Sequence, residues 1–237
     1  MMKIMLPKFK KNIAHQKFHL WIINHRHFQT VLWSMALGFT VVGCGGLHQA
    51  PKPIIRYTIN YAPTPTLESF ENRLPAIIKV ERFGSAPGFA NSHMIYATSR
   101  LERNSYVYHQ WFSPPSEMVA YALVKDLKAS QAFTAITFPG DRIKASHVLT
   151  GSVTDFYEKD EGTTWQAVFG VSILLFSEAP LNLQKQILLE RQYTTQVACQ
   201  EKNVFAFAKA MNTAVQSISN QIILEIYETI ANQTDQK

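Results

Sequence analysis

Trp165-Gln166-Ala167-Val168-Phe169-Gly170-Val171-Ser172-Ile173-Leu174-Leu175-Phe176 places Trp165, Ala167, Phe169, Val171, Ile173 and Leu175 at every second position. A period of two over such a length predicts a strand with one dry face. Two more runs flank it, 146–159 and 185–198, joined to the strand at 163–176 by Lys159-Asp160-Glu161-Gly162 and Glu178-Ala179-Pro180. Turn residues between alternating segments predict an antiparallel meander. In the third run Ile187, Leu189, Tyr193 and Val197 alternate with Glu190, Gln192, Thr194 and Gln196, so the sheet has a dry face and a largely wet one. Asn203 is placed to cap a helix carrying Val204, Ala208, Met211, Val215, Ile218, Ile222 and Ile226 at steps of three and four. That stripe fits across the dry face.

Upstream, Ser113-Pro114-Pro115 predicts the start of a helix over 113–130, with Ser113 as the cap, Glu117 near its positive end, and Val119, Leu123 and Leu127 as its apolar stripe. Before it, 94–98 and 105–110 read as a hairpin turning at 101–104. Ala76 to Phe83 reads as a strand, Gly84-Ser85-Ala86-Pro87-Gly88 as a loop, and Ile55, Tyr57 and Ile59 as one face of a first strand. The expected fold is therefore two-layer α+β, an antiparallel sheet with two main helices packed on one face.

The N-terminal segment is of another kind. Lys3, Lys8, Lys10, Lys11, Lys17 and Arg26 precede a largely apolar run from Phe28 to Val42, which closes on Val41-Val42-Gly43-Cys44. A basic leader, an apolar stretch and small residues beside a cysteine resemble the processing signal of bacterial lipoproteins. The resemblance implies cleavage between Gly43 and Cys44, with thioether diacylglycerol and an amide-linked acyl chain, palmitate-like, on Cys44. An uncleaved membrane helix is the weaker alternative, because about 15 residues fall short of the ~20 that span a bilayer. Gly45 after the cysteine, where Asp is associated with inner-membrane retention, favours the outer membrane. Residues 1–43 are thus expected to be the signal peptide and 44–53 a lipidated N-terminus and flexible tether. A single periplasmic domain should occupy 54–232, and 233–237 a disordered tail.

Charge follows this division. Six of the 23 Lys and Arg residues, and none of the 17 Asp and Glu, precede Cys44, so the remainder balances at 17 and 17. The pI of about 9.3 is a property of the leader, and the basic surface that nucleic acid requires is not expected on the domain. With 46% hydrophobic residues the chain can build a core. Beyond Cys44 the only cysteine is Cys199, which leaves no internal disulfide or cysteine-based metal site and reads as a small buried strand residue. No Gly-x-Ser-x-Gly elbow, phosphate loop or His-Glu-x-x-His helix occurs. A cluster of His93, His109 and His147 around Asp155 is the remaining catalytic arrangement to consider, and scattered strand histidines are more often edge positions. A non-enzymatic protein without metal or redox cofactor is expected, its one prosthetic addition the lipid on Cys44.

Several segments together resemble the ABC-type transport auxiliary lipoprotein family, which includes the PqiC-like lipoproteins. They are Tyr57-Thr58-Ile59 soon after Cys44, Met94-Ile95-Tyr96, Tyr106 to Trp111 followed by Ser113-Pro114-Pro115, Leu127-Lys128-Ala129-Ser130-Gln131-Ala132-Phe133, and Ala206-Phe207-Ala208-Lys209-Ala210-Met211-Asn212. The likeness implies an accessory role in an envelope lipid-transport system with an ABC ATPase, a permease and an Mce-domain protein, whose distal end the lipoprotein docks at the outer membrane. It also suggests a ring-like homo-oligomer. A different envelope machine, such as a cell-wall synthase or a surface-lipid export complex, is the alternative employer. For a partner or oligomer surface the sequence offers Tyr106 and Tyr108 beside Trp111 and Phe112. Ile223, Leu224, Tyr227 and Ile230 form a second apolar set on the terminal helix. Trp111 favours the core, and the tyrosines are open between core and interface.

Overall fold

A computed structural model describes residues 52–63, 70, 72–178 and 187–234. Gly43 and Cys44, with the rest of the leader, lie outside the described residues. Lys52 onward belongs to one compact unit.

The strands appear in the order β1 (Ile55–Tyr57), β2 (Leu74–Val80), β3 (Gly84–Ser85), β4 (His93–Ala97), β5 (Asn104–Trp111), β6 (Phe133–Thr137), β7 (His147–Asp160), β8 (Trp165–Ser177) and β9 (Ile187–Ala198). Helix α1 (Pro115–Ser130) lies between β5 and β6, and α2 (Val204–Thr234) follows β9. The expected meander is present: β7 pairs antiparallel with β8 from His147↔Ser177 to Asp160↔Trp165, and β8 with β9 from Phe176↔Ile187 to Gln166↔Ala198. A bulge interrupts β7 between Val153 and Asp155, and Gly170 sits opposite it. A Cβ on Gly170 would fall 2.5 Å from Thr154 Oγ1 and 2.7 Å from Asp155 Oδ2, so glycine is what lets the bulged strand approach.

The sheet is mixed, which corrects the antiparallel expectation. Along its second edge β7 receives three short strands in succession, all parallel to it. These are β2 at Ile78↔His147 through Val80↔Leu149, β3 at Gly84↔Ser152, and β4 at Ile95↔Tyr157 through Ala97↔Lys159. β6 adds to β2 in parallel, β5 to β4 as the expected antiparallel hairpin, and β1 to β5 in parallel. Parallel neighbours need a crossover, and α1 together with the β4–β5 excursion supplies it between β2 and β6. The segment 84–88, expected as a loop, holds β3 and a 3-10 turn at Pro87–Phe89, because Phe89 is buried and stacks 6.2 Å from Tyr157.

Both helices pack on one face of the sheet, α2 against β8 and β9, α1 against β6 and β7, and they touch each other. The α2 stripe from Ala208 through Met211, Val215, Ile218 and Ile222 to Ile226 is buried, as are Val119, Leu123 and Leu127 of α1. Asn203 caps α2 as expected, its Oδ1 accepting the Ala206 amide at 2.8 Å. Ser113 does not cap α1. Pro114 precedes a second proline, which holds it extended at φ −52°, ψ 142°, and the helix begins at Pro115 with no side-chain cap. Helix α2 runs to Thr234, two residues into the expected tail. Among the described residues no helix is long and apolar enough to cross a membrane.

Candidate functional site

The residues singled out from sequence scatter into three environments. Trp111 is fully buried, its ring edge-on to Phe156 at 5.1 Å and Phe207 at 5.7 Å. Ile223 is 1% exposed. It belongs to the core, which corrects its assignment to a partner surface: the helix face that carries it turns toward the sheet. Tyr227 is half-buried, its ring 4.5 Å from Phe70 and its hydroxyl donating to the Asn72 carbonyl at 2.9 Å. Tyr106 donates to Glu158 Oε2 at 2.8 Å. Tyr108, Phe112 and Leu224 present open surface, the first two at the end of β5 and just after it, the third on α2. The histidines do not gather on Asp155. His147 is eight residues away from it along the same strand, roughly 26 Å, and His109 instead meets the Tyr57 hydroxyl at 3.3 Å. Cys199 is half-buried, and burial pushes its thiol up to about 11, out of the nucleophilic range.

The end of the molecule where β1, β5 and both helix N-termini meet is more organised. After β1 the chain runs extended between α1 and α2, and side chains of both helices bind its backbone. Asn212 Oδ1 accepts the Asn60 amide at 2.7 Å, and its Nδ2 donates to the Thr58 carbonyl at 3.4 Å and the Ala208 carbonyl at 2.7 Å. One turn on, Gln216 Nε2 donates to the Ala62 carbonyl at 3.0 Å. From α1, Lys125 Nζ donates to the Tyr61 carbonyl, and buried Asp126 accepts the Tyr61 hydroxyl at 2.7 Å. Burial, then this bond to Asp126, raises the Tyr61 phenol well above its usual range. The strap occupies the place of a strand without pairing as one, its polar groups satisfied by side chains.

Two shallow grooves flank the strap. Phe112, Tyr121, Met118 and Lys125 line the first with Thr58 and Ile59, and Phe205, Ala208 and Lys209 line the second with Tyr57 and Asn60. Behind β1 an aromatic row continues from Tyr57 to His109 at 5.8 Å, Tyr106 at 5.9 Å and Tyr96 at 4.9 Å. At its foot lies Glu158, 1% exposed, whose carboxyl burial pushes up to about 7 despite the Tyr106 hydrogen bond. Rings, grooves and buried hydrogen bonds suit adhesion and positioning. Among the described residues no group of three His, Cys, Asp or Glu could hold a metal ion.

Sequence reasoning missed the strap. Its signal is the polar pair Asn212 and Gln216, spaced i, i+4 along a helix otherwise stripe-like, and Asp126 inside the α1 stripe between Leu123 and Leu127.

No curated protein matches the chain. A crystal structure of a Xanthomonas campestris protein of the DUF330 family superposes with a TM-score of 0.64 at 16% identity, covering 78% of this chain and 99% of that one. A second solved structure, of an uncharacterized protein, gives 0.57 at 18% identity over 73% and 99%. At such identities the likeness is one of fold. The family model for the ABC-type transport auxiliary lipoprotein component matches residues 57–223, from β1 and the strap to the last third of α2. The strap, strands β2 to β9, α1 and the first two-thirds of α2 thus fall inside one matched region, and the chain belongs to the ABC-type transport auxiliary lipoprotein family.

Proposed function

We propose that this protein is an outer-membrane lipoprotein whose domain faces the periplasm and serves, without catalysis, as the accessory component of an ABC/Mce-type envelope lipid-transport system. The observation that carries the reading is the family match across 57–223, whose description joins a lipoprotein to ABC-type transport. The Val41-Val42-Gly43-Cys44 signal supports the anchor, and the balanced charge after Cys44 supports a domain without nucleic-acid contacts. In this role the acyl chains on Cys44 hold the domain at the membrane, and the domain docks the distal end of an Mce-domain protein. Anchoring raises the local concentration of a weak docking surface, so modest affinity suffices. Tyr108 and Leu224 remain as partner or homo-oligomer contacts.

The test is a crosslinked pull-down of the full-length protein from native envelopes, run beside Cys44→Ala. Capture of an Mce-domain protein, reduced in the unanchored variant, is the expected result. Capture of a cell-wall synthase or surface-lipid export component without any Mce-domain protein would replace this reading with the other employer.

A further inference from the structure

The strap end of the domain exposes large apolar side chains that the core does not use. Phe112 is 71% exposed, Phe205 69%, Tyr121 65% and Ile55 49%. They are neighbours through the strap: Phe112 donates its amide to the Tyr57 carbonyl at 2.7 Å, Phe112 and Tyr121 line one groove beside it, and Phe205 lines the other. Isolated exposed apolar residues are ordinary, but aromatic side chains grouped around one segment mark a contact surface. Cations rim the group. Lys125 and Lys209 sit in the two grooves, against Glu117 as the one acid among the described groove-lining residues. Rings with cations beside them are the composition of a lipid head-group boundary.

Chain length keeps this face near the anchor. Lys52 starts the described domain, five residues before Tyr57 at the patch, and Cys44 lies eight residues before Lys52. Fully extended, the thirteen residues from Cys44 to Tyr57 span at most about 45 Å. A link of this length keeps the patch within reach of the membrane that holds the acyl chains. We propose that the tether-root face around Phe112, Tyr121 and Phe205 rests directly on the head-group region of the phospholipid bilayer that holds the acyl chains. The inference rests on Cys44 being the lipid anchor. It assigns the faces turned away from the patch to the periplasm and to protein partners.

The experiment uses the full-length, membrane-extracted protein with Phe112→Cys in a Cys199→Ser background, labelled with an environment-sensitive fluorophore and reconstituted into phosphatidylethanolamine/phosphatidylglycerol vesicles. Leu101→Cys is the reference. Leu101 is 98% exposed at the hairpin and separated from Phe112 by the length of β5. Intact mass reads acylation of Cys44 in the same sample, and flotation reads vesicle association. The expected result is an acylated, floating protein with a blue shift and at least a twofold rise in emission at position 112 and none at 101, repeated with Phe205→Cys. An acylated, floating protein without a shift at 112 and 205 overturns the surface and leaves the anchor standing. An unacylated Cys44 overturns the proposal through its premise. The same shift in detergent without vesicles, together with a mass above the monomer, assigns the face to a second copy and also overturns it.

Discussion

Asp126 is where a single carboxylate ties the strap to α1. It belongs to α1, is 5% exposed, and accepts the hydroxyl of Tyr61, the strap residue whose carbonyl Lys125 also binds. Asp126→Ala leaves a buried phenol without its acceptor and is expected to cost about 1–3 kcal/mol in chemical denaturation. Adding Tyr61→Phe should recover part of that loss, and a strictly additive double variant would show that the two groups do not act as a pair. Glu158 makes a second residue-scale prediction. An acid held at about 7 in the fold and near 4.5 in the unfolded chain keeps its proton longer when folded. Stability is therefore full below about pH 4.5 and falls as pH rises through 7, with the deficit constant above that. Glu158→Gln keeps an acceptor for Tyr106 and removes the titration, so its melting temperature should lack this fall. Near pH 8 it should exceed the wild type by about 3 kcal/mol. Equal pH profiles for the two proteins would contradict the burial argument. Ile223→Asp, in contrast, puts a charge in the core and reports on folding alone, so assembly is tested with exposed Leu224→Asp.

At the scale of elements, the meander and both helices were legible because each carries a long, uninterrupted period. Trp165 to Leu175 alternates for its whole length, and α2 repeats its stripe from Ala208 to Ile226. The parallel pairings were not legible, since β2, β3 and β4 are short and nothing in seven residues or fewer says which edge of β7 they join. The strap was hidden for a related reason: it is held by polar side chains from helices more than 60 positions away, and period analysis sees only apolar spacing. The two helix starts contrast instructively. Asn203 caps because nothing prevents it, while the Pro114-Pro115 pair moves the start of α1 past the reach of Ser113. Asn203→Ala should therefore destabilise by about 1 kcal/mol, and Ser113→Ala by much less, as thermal melts of the two variants would show. Gly170→Val should cost more than either, because its Cβ meets Thr154 and Asp155 inside contact distance at the β7 bulge.

For the whole molecule, fold and placement divide at Lys52. The compact unit that follows holds β1, the strap, the mixed sheet and both helices, and the family match lies within it. Everything proposed about position depends on the segment before it. The domain carries shallow grooves and aromatic surface suited to holding and orienting partners, and its patterning in sequence identified the core far better than the surface. Trp111 was placed correctly because a large ring next to a helix start is easily buried, whereas Ile223 was assigned to a surface it does not reach and Tyr106 was open until its partner Glu158 was known. The claim on which the account turns is that the chain is a lipoprotein held at Cys44. Intact-mass analysis of the protein extracted from the outer-membrane fraction tests it most directly. The account predicts a chain beginning at Cys44 and carrying a diacylglyceryl thioether and an acylated amino terminus. A chain of unmodified mass that retains the residues before Cys44 would contradict it.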